Sequence, residues 1–188
     1  MEACSNPAEA SSSIRKEAGV LLYDVGLAAL LSHYGGVFPT GSYAMDLMTW
    51  RDLDLYLDIA NVGKSRVYDL VHEMAVLLQP FWLEAKSMIE NPEPDFPRGY
   101  FIGMETRIIG PDPWNIDLIV MSLEDILRAQ AEVEERTRAL RPEMRKAVLE
   151  LKSLPNYLKD FFSADVYDAV IRGSVRSAAD MDHWLRNR

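Results

Sequence analysis

Three aspartates carry the residue types and spacing that could do chemistry. Asp52 and Asp54 flank Leu53 in the run Asp52-Leu53-Asp54-Leu55-Tyr56-Leu57. In a strand alternate side chains share a face, so both carboxylates project from one side while Leu53, Leu55 and Leu57 anchor the other side in a core. Two residues of rise separate the pair by about 6–7 Å at the backbone, close enough for both side chains to converge on metal ions. Without a cation they repel each other. Asp117 lies in a second apolar run, Ile116-Asp117-Leu118-Ile119-Val120, where a lone acid is costly unless a site uses it. A shared metal site would give all three a reason to be present. The plainer reading is an acidic pair on a solvated sheet face and a third acid capping a strand end.

Upstream, Gly41-Ser42 follows the strand-like stretch Val37-Phe38-Pro39-Thr40 and opens a short helical piece. Such a turn exposes backbone N–H groups and a hydroxyl where phosphate oxygens are stabilised. Asp52 follows Ser42 after nine intervening residues.

These parts, in this order, resemble the nucleotidyltransferase superfamily related to DNA polymerase beta. Its pattern is an apolar residue, Gly with Gly or Ser, a short helix, Asp-x-Asp in an apolar strand, and a third acid on a later strand. The matching residues are Phe38 to Ser42, Asp52 to Leu57 and Asn115 to Val120. The stretch Gly41-Ser42-Tyr43-Ala44-Met45-Asp46-Leu47 is also similar to the opening of lincosamide- and aminoglycoside-modifying nucleotidyltransferases. The segment from Met48 to Arg51 is shorter than the basic, His-containing run of those enzymes. The resemblance implies that Asp52 and Asp54 hold Mg²⁺ (or Mn²⁺), and that Gly41 and Ser42 hold the phosphates of a nucleoside triphosphate, with ATP expected. Asp117 would complete the metal site next to the acceptor hydroxyl, either as a ligand only or also as the base that takes its proton. A nucleoside monophosphate would pass to a small-molecule or protein hydroxyl, releasing pyrophosphate. A second class stays open: an antitoxin-like or otherwise non-catalytic module that keeps this fold and binds a protein partner.

The elements that must position these residues follow from apolar periodicity. Ile14, Ala18, Leu21, Leu22, Val25, Ala28 and Ala29 predict a helix from Ser13 to about Tyr34, ended by Gly35-Gly36. Strands are expected near Val37 and over residues 53–59, with a short helix at 44–48 between them. Val67, Leu70, Val71, Met74, Leu77 and Leu78 predict a helix stopped before Pro80. Residues 81–90 and 100–109 read as a hairpin with a proline-rich tip, 115–121 as another strand, and everything beyond Ser122 as helices near 123–140, 142–154, 164–172 and 177–186. Ser122 with Asp125 is a capping signature. The expected fold is α+β: a nucleotidyltransferase-like small mixed sheet with packed helices, plus a C-terminal helical bundle. The divisions are a flexible lead-in at 1–12, the core at 13–121 and the helical region at 122–188.

Composition sets limits. The chain has 188 residues, 48% of them apolar and 26% charged, enough for one buried core and unlike disordered or fibrous classes. Twenty basic against twenty-nine acidic residues leave a net charge of −9, which disfavours nucleic acid as the acceptor. One cysteine and three histidines furnish neither an internal disulfide nor a standard zinc cluster. No segment reads as a membrane span or leader, and a cytoplasmic location is expected. Arg51 could steer a phosphate or neutralise the acidic strand. Asp46, Lys64, Arg66, the histidines, and Trp50, Trp82 and Trp114 have structural explanations and stay outside the expected site.

Overall fold

The computed structural model describes residues 6–58, 60, 64–92 and 96–187. The first five residues of the expected lead-in, Ile59 at the end of an expected strand, and part of the proline-rich hairpin tip lie outside these. The described residues form an α+β fold of five strands and eight α-helices. The sheet has the order β1-β2-β5-β4-β3. Strand β1 (Val37–Pro39) runs antiparallel to β2 (Asp52–Asp58), and β2 runs parallel to β5 (Trp114–Met121). The hairpin of β3 (Trp82–Ser87) and β4 (Gly99–Thr106) completes it, with β4 antiparallel to β5. Between β2 and the hairpin the chain crosses through α4 (Lys64–Leu78), whose buried residues Val67, Leu70, Met74 and Leu78 recur at three- and four-residue steps.

β2 alternates half-buried and buried residues along its length, with Leu53, Leu55 and Leu57 fully buried. These leucines join Ile116, Leu118 and Val120 of β5, Ile102 and Met104 of β4, and the buried face of α4 in one apolar cluster. A second cluster fills the C-terminal region, built on α6 (Pro142–Lys152), α7 (Ser163–Ile171) and α8 (Ala178–Arg186). Met45 and Leu47, from the loop before β2, belong to this second cluster, while their neighbour Met48 belongs to the first. α5 (Leu123–Ala139) leads from the sheet into the bundle. Among the described residues no helix is long and apolar enough to cross a membrane.

The N-terminal helix departs from the expected span. α1 covers Pro7–Gly19, so the stretch read as a loose lead-in is helical from Pro7. The Asn6 side chain accepts the Ala8 N–H at 3.0 Å and Pro7 occupies the first turn, a start signal independent of apolar periodicity. The helix then widens into a π-turn over Val20–Asp24, with Val25 N–H bonded to Val20 O. Gly26, at φ 95°, separates it from α2 (Leu27–Ser32). The short helix expected at 44–48 instead spans Gly41–Ala44, as α3. Asp46, in left-handed geometry at φ 58°, turns the chain out of it.

The Ser122 hydroxyl accepts the Asp125 N–H at 3.2 Å and donates to Asp125 Oδ2 at 2.7 Å. Ser122→Ala removes this cap, and is expected to lower global stability by about 1 kcal/mol. Urea unfolding checks this: the midpoint should fall with an unchanged slope, and an unchanged midpoint would mean the cap contributes nothing.

Candidate active site

The pairing of β2 with β5 brings the three aspartates together. In the parallel register Asp54 lies opposite Asp117 and Asp52 opposite Asn115. Side chains directly across a pair share a face, so the alternation of β2 aligns its acids with the acid of β5. One carboxylate oxygen from each of Asp52, Asp54 and Asp117 lies within 4.8 Å of the others, all half-buried. Asn115 Nδ2 donates to Asp52 Oδ1 at 2.7 Å and fixes that carboxylate.

The glycine turn lies directly over the pair. Thr40 N–H bonds to Asp54 O at 3.0 Å, continuing the β1–β2 ladder into the turn. Gly41 has φ 57°, and a Cβ at this position would overlap Asp54 Oδ2. Both the backbone geometry and the approach to the carboxylate therefore require glycine. Ser42 Oγ faces the C-terminal helices, where it meets Lys152 Nζ at 2.7 Å and Tyr167 OH at 3.3 Å.

Lys152 supplies positive charge that acts on both Asp52 and Asp54. The residue is 3% exposed, and its ammonium also donates to Leu47 O at 2.9 Å and to Tyr167 OH at 3.4 Å. Burial lowers its pKa to about 8, against the opposing pull of Asp52 and Asp54. Burial in turn pushes Asp54 up to about 7, and the charges of Asp52 and Asp117 push in the same direction while Lys152 opposes them. Asp117 rises to about 6 through burial and then the Asp52 charge, with Asn115 opposing. Asp52 is raised by burial, offset by its Asn115 hydrogen bond and by Lys152. The donor set is hard oxygen, crowded and short of positive charge, which is what Mg²⁺ or Mn²⁺ selects. Asp52, Asp54 and Asp117 are the residues that could hold it.

Of the expected site residues, Asp52, Asp54, Asp117, Gly41 and Ser42 converge. Arg51, adjacent in sequence, turns away: its guanidinium bonds to both Glu17 carboxylate oxygens at 2.7 and 3.1 Å and pairs with Asp112 at 3.3 Å. It ties α1 to the loop before β5. Asp46 pairs with Arg145 at 3.0 Å, and Lys64 pairs with Glu90 at 2.8 Å. Trp114 is core. Sequence reasoning missed Lys152, Tyr167 and Asn115. Lys152 had a signal: it continues the four-residue step from Met144 through Val148 on the apolar face of α6, where a cation needs a partner.

Asn115 also borders a cavity of about 630 Å³, together with Thr49, Trp50, Glu105 and Pro113. Cavities of this size accept small molecules.

The raised aspartate pKa values fix the sign of a pH dependence. From the ordinary aspartate value of 3.8 to about 7, the metal-free folded chain binds more protons than the unfolded one, so stability falls as pH rises through that window. Lys152 acts in the opposite sense from about 8 to 10.5, where the unfolded chain binds the extra proton. Thermal unfolding in chelator should show a Tm that declines across the acidic window. Asp54→Asn should flatten the decline and raise Tm near neutrality, and Mn²⁺ should raise the wild-type Tm near neutrality but not at the acidic end. A Tm that rises with pH between those limits contradicts the electrostatic account.

No family model matches this chain, and no curated protein matches it. Among solved structures, the chain is similar to a GTP pyrophosphokinase family protein from Streptococcus pneumoniae. The TM-score is 0.36 and the identity 12%, over 95% of this chain and 94% of that one.

Proposed function

We propose that this protein is a divalent-metal-dependent nucleotidyltransferase that moves a nucleoside monophosphate from a nucleoside triphosphate to a hydroxyl of an acceptor. One observation carries the reading: Asp52, Asp54 and Asp117 converge within 4.8 Å beneath a Gly-Ser turn. Mg²⁺ or Mn²⁺ held by these aspartates would supply a Lewis acid for the phosphoryl oxygens and charge to offset the triphosphate.

The chain's own residues divide the work. Asp52 and Asp54 would hold the cation; burial first, and then the charges of Asp52 and Asp117, raise Asp54 to about 7, and a cation would relieve the repulsive part. Ser42 and Lys152 form the phosphate side. The Lys152 ammonium is presented by Leu47 O and Tyr167 OH, and a nonbridging phosphate oxygen is a stronger acceptor than the Ser42 hydroxyl that it now contacts. Asp117 belongs to the acceptor side. The acceptor oxygen bonds to the α-phosphorus, the bond from that phosphorus to the β-phosphate oxygen breaks, and its electron pair leaves with pyrophosphate. The acceptor proton passes to Asp117, whose carboxylate is held above the ordinary range in the metal-free chain by burial and then by the Asp52 charge. The cavity lined by Asn115 and Glu105 would give a small acceptor room, and Asn115 lies two residues before this base on β5.

Calorimetry with each of the four common nucleoside triphosphates, with and without Mg²⁺, tests the reading. Metal-dependent binding is expected, and Asp54→Asn should abolish it while the folded far-ultraviolet spectrum persists. Equal affinity with and without metal would remove the acids from the proposed role.

Asp117 and Lys152 should separate under the same assay. Asp117→Ala keeps metal-dependent nucleotide binding but lowers the single-turnover transfer rate by about 10²–10⁴-fold, the usual contribution of a general base. Lys152→Met does the reverse in its main effect, weakening triphosphate affinity. An Asp117→Ala variant with lost affinity and an unchanged bound-state rate would reverse the assignment.

A further inference from the structure

The two edges of the sheet are finished differently. β1 is three residues long and ends at Pro39, whose carbonyl accepts a hydrogen bond from Gln130 Nε2 of α5 at 3.2 Å. Shortness, proline and a covering helix are ordinary ways to keep an edge from pairing. β3, at the opposite edge, has six residues, no proline and, among the described residues, a ladder on one side only. It opens within an apolar run at the surface: Phe81, just before it, and Trp82 and Leu83, its first two residues, are 52%, 42% and 41% exposed.

The direction of the free backbone groups follows from the register. Met88 donates its N–H to Gly99 O, one step beyond the pair Ser87 and Tyr100. In an antiparallel ladder hydrogen-bonded pairs alternate, so even-numbered residues of β3 turn their backbone groups toward β4. Leu83 and Ala85 turn theirs outward.

An edge lysine usually discourages strand addition. Lys86 comes with a complement: Glu84 lies two residues earlier on the same face, its carboxylate 3.0 Å from the Lys86 ammonium. For two antiparallel copies of β3 related by a two-fold axis at Ala85, Ala85 faces itself through its outward backbone groups. Glu84 then faces Lys86 of the partner subunit, and Lys86 faces Glu84 of the partner subunit. An axis at Glu84 or at Lys86 would set like charges opposite each other. Both ion pairs fall at positions where the backbone groups point away from the seam, the closer-spaced kind of antiparallel pair.

We propose that β3 is a homodimer interface, pairing with β3 of a second copy about Ala85 and held in register by the reciprocal Glu84–Lys86 pairs. The two sheets become one of ten strands. Antiparallel pairing keeps the even-numbered residues of both copies on one face, so both aspartate triads open on the same side. A second copy is the occupant because it brings the matching Glu-x-Lys spacing by symmetry. This assignment is independent of the activity proposed above.

Sedimentation equilibrium of the full chain from low to high micromolar concentration tests it. A concentration-dependent dimer is expected. Glu84→Lys and Lys86→Glu, at a half-buried and an exposed position, should each weaken association about tenfold or more, because each turns two attractive cross-strand pairs into repulsive ones. The Glu84→Lys/Lys86→Glu double variant should regain the dimer. A monomer at every concentration, or a dimer indifferent to the single reversals, overturns the proposal. Hydrogen exchange on the unmodified chain gives a reading free of any folding defect in the variants. Amide protection at Leu83 and Ala85 should rise with protein concentration, and protection that stays constant across the range overturns the proposal equally.

Discussion

Three carboxylates within 4.8 Å of one another on a half-buried sheet face require positive charge to come to them, and in the metal-free chain that charge arrives from α6. Lys152 is buried, and a buried ammonium is tolerated only when its hydrogen bonds are satisfied. Its partners are Ser42, Leu47 and Tyr167. Two of these belong to the connection between β1 and β2, Ser42 in α3 and Leu47 after it, and the third to α7. One cation thus fixes where the C-terminal bundle stands against the sheet. Arg145, two turns earlier on α6, grips the same loop through the carbonyls of Met45 and Asp46 at 3.0 and 2.8 Å.

The loop from Gly41 to Met48 therefore serves several demands at once. Its first residue must lack a side chain to pass over Asp54. Its middle inserts Met45 and Leu47 into the helical core, and its end returns Met48 to the core under the sheet. Its carbonyls accept the two α6 cations. The site is thus built at the seam between two apolar clusters. Movement of the bundle against the sheet would move Lys152 and Tyr167 relative to the aspartates, while Asn115, on β5 itself, would stay with them.

What the sequence disclosed was whatever a local pattern carries. The period-two alternation around Asp52 and Asp54, the apolar run around Asp117, the α4 stripe and the Ser122 cap are short-range signals, and the structure contains each feature. The register that sets Asp54 opposite Asp117 depends on a parallel pairing and was not readable from either strand alone. Lys152 and Tyr167 were missed because their partners are remote: Lys152 meets Ser42 across a separation of 110 residues. Arg51 shows the same limit, since adjacency to Asp52 left both a phosphate-steering and a charge-neutralising reading open, and its partners Glu17 and Asp112 are remote in sequence. The N-terminal helix was misjudged at both ends. Its start depends on an Asn-Pro cap instead of apolar spacing, and its end on a π-turn and Gly26 within a run that reads as continuous.

The order of elements along the chain has a consequence for the way the molecule is made. During synthesis β2 emerges with its two aspartates well before β5, its parallel neighbour, because Asp52 and Asn115 are 63 residues apart. Lys152 follows later still. Closing loops of such length costs entropy before any contact rewards it, so pairings of this kind slow folding. The α4 crossover and the β3–β4 hairpin, whose contacts are local, can form first, leaving the acidic strand to dock after them. The mutual repulsion of the aspartates is then imposed only at the last stage, when the amine that moderates it is already being delivered. A nascent chain stalled before α6 would hold the apolar parts of its sheet but not the counter-charge, and its newly formed acidic face would be the first part to open again.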